Sequence, residues 1–302
     1  IETGGVTRQS RDGKLRQPRG SRMWAIIEAL RSYRGADMPF TQFAAEHFAG
    51  AEWAEAREGA ARYLAGFDAA DPDTVSIHWK ARNEAAAERI DGDRQFRVLD
   101  GYDRVPRWLL ASAPPERVAL HLNTVAHAIQ WSPGQVTVTA HAPLTGDERF
   151  FTARAAIITV PLGVLAAPPD APGALRFTPD LPVVAEACAG LAMGHVVKVV
   201  FRCREVFWDT LPPAYPNLPG LGFLLADDAT MPTWWTMQPL HVPVLTGWVG
   251  GPRAARLAQD DPNTIIDQAI AALARILSQP RSAIAAQIDA WQMHDWSADP
   301  FT

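Results

Sequence analysis

Through the first ninety residues, apolar positions recur at helical spacing. Met23, Ile26, Ile27 and Leu30 fall at i, i+3, i+4 and i+7, one face of a helix. Ala56, Ala60, Tyr63 and Leu64 repeat the spacing, and Gly66 reads as the stop of that helix. Asp71-Pro72 has the form of an N-cap and first-turn proline for the next helix, and 80–90 is helical by its alanine content alone. At Gln95 the period changes. Phe96 and Val98 alternate, then Asp100-Gly101-Tyr102 turns the chain into a short helix through Val105, Leu109 and Leu110. Strands are expected over 118–122, along Val125, His127, Ile129 and Trp131, and at Val136 and Val138 after the turn at Pro133-Gly134. Such short alternating strands predict an antiparallel meander with one wet face. The run 155–160 is apolar on both faces, which predicts a strand in the middle of a parallel sheet.

Beyond a proline-rich link over 161–182, alternation returns at 196–201, 222–225, 233–237 and 244–249. The clearest helix is 264–277, with Ile265, Ile266, Ala269, Ile270, Leu273, Ile276 and Leu277 on one side and Asp261-Pro262 to start it. Ile284, Ala286, Ile288 and Ala290 alternate as a last strand. The segment 247–251 is glycine-rich, but it is not GxGxxG and lacks a βαβ setting, so it reads as a strand-to-helix turn.

Composition narrows the function classes. The 302 residues, 48% of them hydrophobic, are enough for two domains or one large one. A formal net charge of -5, with Lys and Arg scattered, speaks against nucleic acid as a partner. The exception is the basic stretch from Arg8 to Arg22, which reads as a solvated segment. Cys188 and Cys203 are the only cysteines and form no CxxC pair, and no histidine spacing suits a metal. The longest apolar run, 155–167, is interrupted by Pro161 and is too short to span a bilayer, so no membrane partner is expected. The sequence begins at Ile1 with no leader, which leaves compartment open, a soluble cytoplasmic protein being the default expectation.

One residue is out of place in its run. Lys198 stands in the β-branched stretch Met193-Gly194-His195-Val196-Val197-Lys198-Val199-Val200-Phe201, which continues to Phe207-Trp208. A lysine there is either an edge-strand charge that blocks aggregation, a side chain snorkelling to water, or a partly buried ammonium held beside a bound water or cofactor. Trp234-Trp235 is a second feature, since adjacent strand residues point opposite ways and one of the pair could wall a cavity.

The Lys198 segment resembles the stretch of the flavin monoamine oxidase family in which a lysine holds, through a water, the reactive N5 of the flavin. Four further matches follow the family's order along the chain. Val98-Leu99-Asp100-Gly101-Tyr102 with Val105-Pro106 is similar to the entry into a helix of the FAD domain. Leu122-Asn123-Thr124-Val125 resembles the strand whose backbone meets the adenine. Thr159-Val160-Pro161-Leu162-Gly163-Val164-Leu165 resembles the run beside the cofactor, and Trp296-Ser297-Ala298-Asp299-Pro300-Phe301 the segment whose tryptophan approaches the flavin ring. Singly, Gly101 is a turn glycine, Pro161 a strand terminator and Trp296 a core aromatic; five matches in order carry the resemblance. The family's GxGxxG loop, which holds the FAD pyrophosphate, does not occur in the 302 residues, and neither does its later flavin-site motif.

The resemblance implies an α/β (α+β) architecture of two domains: an incomplete Rossmann-like FAD-binding domain and a substrate domain of helices on an antiparallel sheet. Residues 1–90 would be the helical part of the substrate domain, 91–170 a segment of the FAD domain, 171–295 the rest of the substrate domain and 296–302 the return to the FAD domain. It implies FAD as cofactor, with Gly101, Val125, Thr159, Val160, Pro161 and Trp296 as contacts and Lys198 as the catalytic residue. A small-molecule amine and O2 would be the reactants, with no metal. The C–N bond would be oxidised, the imine hydrolysed and H2O2 formed, by a fragment incomplete for activity. Two alternatives stand beside it: another FAD enzyme of the same fold (a desaturase or protoporphyrinogen oxidase-like protein), or a non-enzymatic relic that lost the cofactor loop.

Overall fold

Apolar periodicity becomes secondary structure largely where it is strongest. The computed structural model describes residues 6–11, 14–16, 22–92, 94, 96–211, 218–226 and 230–302, with side chains from residue 22 onward. The chain opens with β1 (Val6–Arg11) and β2 (Lys14–Arg16), then α1 (Met23–Ser32), α2 (Phe40–His47), α3 (Ala54–Phe67), α4 (Ile77–Arg89) and α5 (Arg104–Ser112). Next come β3 (Val125–Ser132), β4 (Gln135–His141), β5 (Glu148–Ala153), α6 (Leu162–Leu165), β6 (Arg176–Thr178) and α7 (Pro182–Ala189). The remainder is β7 (Val196–Cys203), β8 (Leu221–Ala226), β9 (Thr233–Thr236), β10 (Val244–Gly250), α8 (Pro252–Leu257), α9 (Pro262–Leu277), α10 (Arg281–Gln287) and β11 (Ile288–Met293). None of the described helices is long and apolar enough to cross a membrane.

These elements form two compact units, Ile1–Arg97 with Gly194–Asp295, and Val98–Met193 with Trp296–Thr302. In the first, a seven-stranded sheet runs β11-β7-β10-β9-β8-β1-β2, antiparallel except where β1 pairs with β8. Val197, Val199, Phe201, Leu224, Trp234, Leu245 and Val249 from its strands share one buried cluster with Ile265, Ile266, Ala269 and Leu273 of α9. Asp261 caps α9 as its sequence implies, accepting from the backbone N–H groups of Asn263 at 3.0 Å and Thr264 at 3.2 Å. A second core, built by Ile26, Ile27, Leu30, Phe40, Phe43, Leu64 and Ile77, joins α1 to α4.

In the second unit, β3, β4 and β5 form the expected antiparallel meander, and β6 adds to it in parallel beside β3. That pairing moves a boundary. Residues 171–193, assigned from sequence to the substrate domain, belong to the second unit because β6 takes its hydrogen bonds from β3. The first break likewise falls after Arg97 rather than at residue 90, since the Arg97 guanidinium donates to the carbonyls of Thr236 at 2.9 Å and Gln238 at 3.1 Å.

Other departures have local causes. The run 155–160 forms no strand, and Ile157 is 93% exposed. A doubly apolar strand needs strand partners on both edges, and no described strand pairs with it. Residues 118–122 likewise form no strand. Asp71 does not cap α4; its carboxylate accepts from Asp73 N–H at 3.0 Å inside a turn, and Ser76 takes the cap, accepting from Trp79 N–H at 3.0 Å. Ile284 and Ala286 lie in α10, so alternation marks a strand only from Ile288 onward.

The helical core also contains a charge. Lys80 is fully buried, with its Nζ 2.6 Å from Asp68 and 2.7 Å from Glu84, over the Tyr63 ring at 4.9 Å. Burial pushes the Asp68 carboxyl above its ordinary range, against the hydrogen bond and charge of Lys80. Replacing Lys80 by Met leaves the buried Asp68 carboxylate without its cation and with the charge of Glu84 nearby, and is expected to cost about 3–5 kcal/mol near neutral pH. In that variant the Asp68 pKa stands further above its unfolded value. Stability is then fully present below the unfolded pKa and is lost as pH rises through the raised one, so denaturant unfolding should show a larger deficit at pH 8 than at pH 5.

Candidate functional site

Lys198 lies in β7, and β7 is flanked by β11 and β10, so the lysine is not on an edge strand. Nor is it a partly buried ammonium. Val197, Val199 and Phe201 turn into the core, while Lys198 between them is exposed on the opposite face of the sheet. It makes no ion pair with any described residue.

The strand register identifies its neighbours, because residues directly opposite in antiparallel strands share a face. Lys198 faces Trp248 of β10, which faces Thr233 of β9. One row along, Gln292, Val200, Thr246, Trp235 and Phe223 line up across five strands. The aromatic rings of this face touch in sequence: Phe223 and Trp235 have centroids 6.3 Å apart, Trp235 and Trp248 6.0 Å. All three are half-buried. Trp234 points the other way into the core, where its indole N–H donates to the Met231 carbonyl at 2.9 Å.

Trp248 is fixed from outside the sheet. Its indole N–H donates to the Gly66 carbonyl at 2.6 Å. Gly66 is in the last turn of α3, where backbone carbonyls lack a partner within the helix, so the indole satisfies one of them. The helix end can come that close because the sheet is bare there. A Cβ on Gly250 would lie 2.6 Å from the Ala65 carbonyl oxygen, one on Gly251 2.9 Å from that of Ala70, and one on Gly194 inside that of Ala69. Gly251 also has φ +68° and passes β10 into α8, as the strand-to-helix reading of 247–251 expects.

The cofactor contacts expected from the resemblance all fall in the second unit. Gly101 has φ +99° in the turn before α5, Val125 opens β3, and Thr159 and Val160 precede Pro161, the residue before α6. Trp296 is 58% exposed. Two of these segments meet: a Cβ on Gly163 would collide with the Thr302 carbonyl, and one on Gly173 with that of Pro300. The run from Thr159 to Leu165 and the run from Trp296 onward therefore pack backbone to backbone through glycines. Exposed apolar residues beside them, Ile157, Ile158 and Trp296, suit the flat rings of a flavin dinucleotide. A phosphate-cradling glycine loop is not in the sequence. A cavity of about 290 Å³ lies against the β3–β4 hairpin, lined by Ile129, Trp131, Val136, Ile158, Phe177 and Leu181.

Other chemistries find little support among the described residues. No cluster of His, Cys, Asp or Glu could hold a metal ion. Both cysteines are buried, and burial pushes the Cys203 thiol up to about 12, far from a reactive thiolate. Sequence reading singled out Lys198 and the pair Trp234-Trp235, of which the structure turns Trp235 to this face, but missed Trp248 and Phe223. Their signal is the strand register, which sets Trp248 opposite Lys198, 50 positions away, and Phe223 opposite Trp235, 12 positions away.

A family model described as flavin containing amine oxidoreductase matches residues 7–302. Among solved structures, wild-type putrescine oxidase bound to putrescine is similar over 100% of this chain and 70% of its own, with 18% identity and a TM-score of 0.75. Cyclohexylamine oxidase from Brevibacterium oxydans is similar over 100% of this chain and 69% of its own, with 19% identity and a TM-score of 0.73. No curated protein matches the sequence.

The glycine contacts make a specific demand on the sheet. Gly250→Ala puts a methyl group into the Ala65 and Gly66 carbonyls without altering a positive φ. It is expected to destabilise by about 1–3 kcal/mol in urea unfolding, with a change in tryptophan emission as the Trp248 hydrogen bond is lost.

Proposed function

The chain belongs to the flavin-containing amine oxidoreductases, and from that membership we propose that it serves the oxidation of the C–N bond of a small-molecule amine, with O2 as the final acceptor. The observation that carries the reading is Lys198, an exposed ammonium on a central strand, set against Trp248 on an aromatic face. FAD is the cofactor of the family, and when bound it accepts the two electrons that leave the amine and passes them to oxygen.

The chain's own residues then have three tasks. The aromatic face holds the apolar body of the substrate and keeps water off it. Lys198 holds a water through its ammonium N–H groups, as the lysine of the resembled segment does beside flavin N5. Its positive charge disfavours a second cation beside it, which favours binding of the amine in its neutral form. Only that form has the lone pair that supports loss of a hydride equivalent from the α-carbon. As that C–H bond breaks, the carbon–nitrogen double bond of an imine forms and the nitrogen sheds a proton. Water then gives the carbonyl product and an amine or ammonia, and O2 takes two electrons and two protons to become H2O2. No acid–base dyad is required, and the sequence shows none. Gly101, Val125, Thr159, Val160, Pro161 and Trp296 are proposed as the FAD contacts, supported by their positions in the matched motifs and the close packing at Gly163 and Gly173.

An anaerobic titration of the flavin-loaded protein with a panel of amines tests the reading. Bleaching of the visible flavin absorption, restored by air with H2O2 formed, is the expected result. No bleaching by any amine would sink it. Lys198→Met should slow turnover or flavin reoxidation by about tenfold or more while FAD stays bound; unchanged kinetics would remove the role given to Lys198. Because a neutral amine reacts, kcat/KM should climb from pH 7 toward the substrate's own pKa, near 10 for an alkylamine.

A further inference from the structure

We propose that the buried ion pair of Asp68 and Lys80 is a positioning device for the sheet face that carries Lys198. The pair locates the end of α3 on the sheet, the Gly66 carbonyl at that end fixes the Trp248 indole, and the indole sets the place of Lys198 opposite it. The consequence for Lys198 rests on the amine-oxidising reading above; the placement of Trp248 does not.

Three observations carry it. The first is where the charges lie. Asp68 is the residue that follows α3, and its carboxylate meets the Lys80 ammonium at 2.6 Å, with the two side chains 4% and 0% exposed. Lys80 also meets Glu84 at 2.7 Å, and Glu84 meets Arg31 of α1 at 3.6 Å, so one run of charges ties α3 to α4 and α1. Replacing a buried pair by apolar side chains of similar volume is often neutral or stabilising, so stability alone accounts poorly for such a pair. What distinguishes it from an apolar contact is that it accepts few geometries, because a buried charge left unmatched is costly. The second is how closely the end of α3 fits. A Cβ on Gly250 would lie 2.6 Å from the Ala65 carbonyl oxygen and 3.0 Å from that of Gly66, and one on Gly251 2.9 Å from that of Ala70. Backbone lies on backbone there, with no side chain between them to absorb a shift. The Gly251 N–H is itself bound to the His195 carbonyl at 2.9 Å, so β7 and β10 receive the helix end together. The third is what shares that face. Gly250 and Trp248 of β10 stand opposite Val196 and Lys198 of β7, which puts the seat of α3 and Lys198 in successive rows of one face. The Trp248 indole N–H reaches back to the Gly66 carbonyl at 2.6 Å. A displaced helix end either breaks that bond or draws the indole with it, and the indole stands opposite Lys198.

The test separates placement from stability. In the double variant Asp68→Leu/Lys80→Met both charges of the pair are gone and Glu84 keeps Arg31, so stability in urea should return close to that of the unaltered protein, unlike Lys80→Met alone. With the tryptophans isotope-labelled, the Trp248 indole N–H is identified in the NMR spectrum as the resonance that Trp248→Phe removes. In the folded double variant it should move toward the position of a solvated indole and exchange with solvent about tenfold faster. Asp68→Asn keeps an acceptor for the Lys80 ammonium and should leave the resonance near its original place. The second readout is reoxidation by O2 of the flavin-loaded full chain after reduction with dithionite. The double variant should slow it by about tenfold. That loss should not add to the loss in Trp248→Phe, because both act through one indole. A stable double variant with an unmoved Trp248 resonance overturns the proposal, and so do losses that add. Should the double variant not fold, Asp68→Ala, in which Lys80 retains Glu84, carries the same two readouts. A moved resonance with unchanged reoxidation overturns the link to Lys198. If the resonance moves and no amine bleaches the flavin, the amine-oxidising reading falls and the placement of Trp248 by the pair stands.

Discussion

A β-strand turns successive side chains to opposite faces, and in β7 that two-residue period separates packing from chemistry. Val197, Val199, Phe201 and Cys203 go into the core shared with α9, and Val196, Lys198, Val200 and Arg202 go to the other side. Because β7 pairs with β10 from Lys198↔Trp248 to Val200↔Thr246, the same alternation is imposed on the neighbouring strand. A slip of one residue in that register would put Lys198 against α9 and Val199 on the open face, an exchange the apolar cluster strongly opposes. The core thus holds the candidate site in place.

The helical layer adds to this at one point. α3 ends against the sheet where three glycines remove the side chains that would hold it off, and its last-turn carbonyl at Gly66 takes the Trp248 indole. One residue beyond α3, Asp68 reaches the buried Lys80, so the same helix end is tied to α4 through an ion pair and to the sheet through an indole. Raising the Asp68 carboxyl above its ordinary range is the cost of burying that pair; fixing the direction in which α3 ends is what it supplies to the open face. The second unit uses glycine in the same way, at Gly163 and Gly173, to let the run after Trp296 lie backbone to backbone on the segment that holds Thr159, Val160 and Pro161.

Much of this was legible in the residues alone. Helix spacing at Met23, Ile26, Ile27 and Leu30, the Asp261-Pro262 start of α9, and the alternation of β7 to β10 each express a local rule: which face an element buries and how its first turn is capped. Lys198 stood out for the same reason, being a charge inside an apolar run. The motifs around Gly101, Val125, Pro161 and Trp296 pointed to the family through their order, with no need of geometry. Tertiary structure alone decided what depends on partners far away in the chain. Whether 155–160 becomes a strand depends on other strands to hydrogen-bond it, and β6 joined the second unit because β3 had a free edge to offer it. The same reason hid the aromatic strip: Phe223, Trp235 and Trp248 become one surface only when three strands choose their register, and a register is set by the packing of the whole sheet rather than by any one segment of sequence.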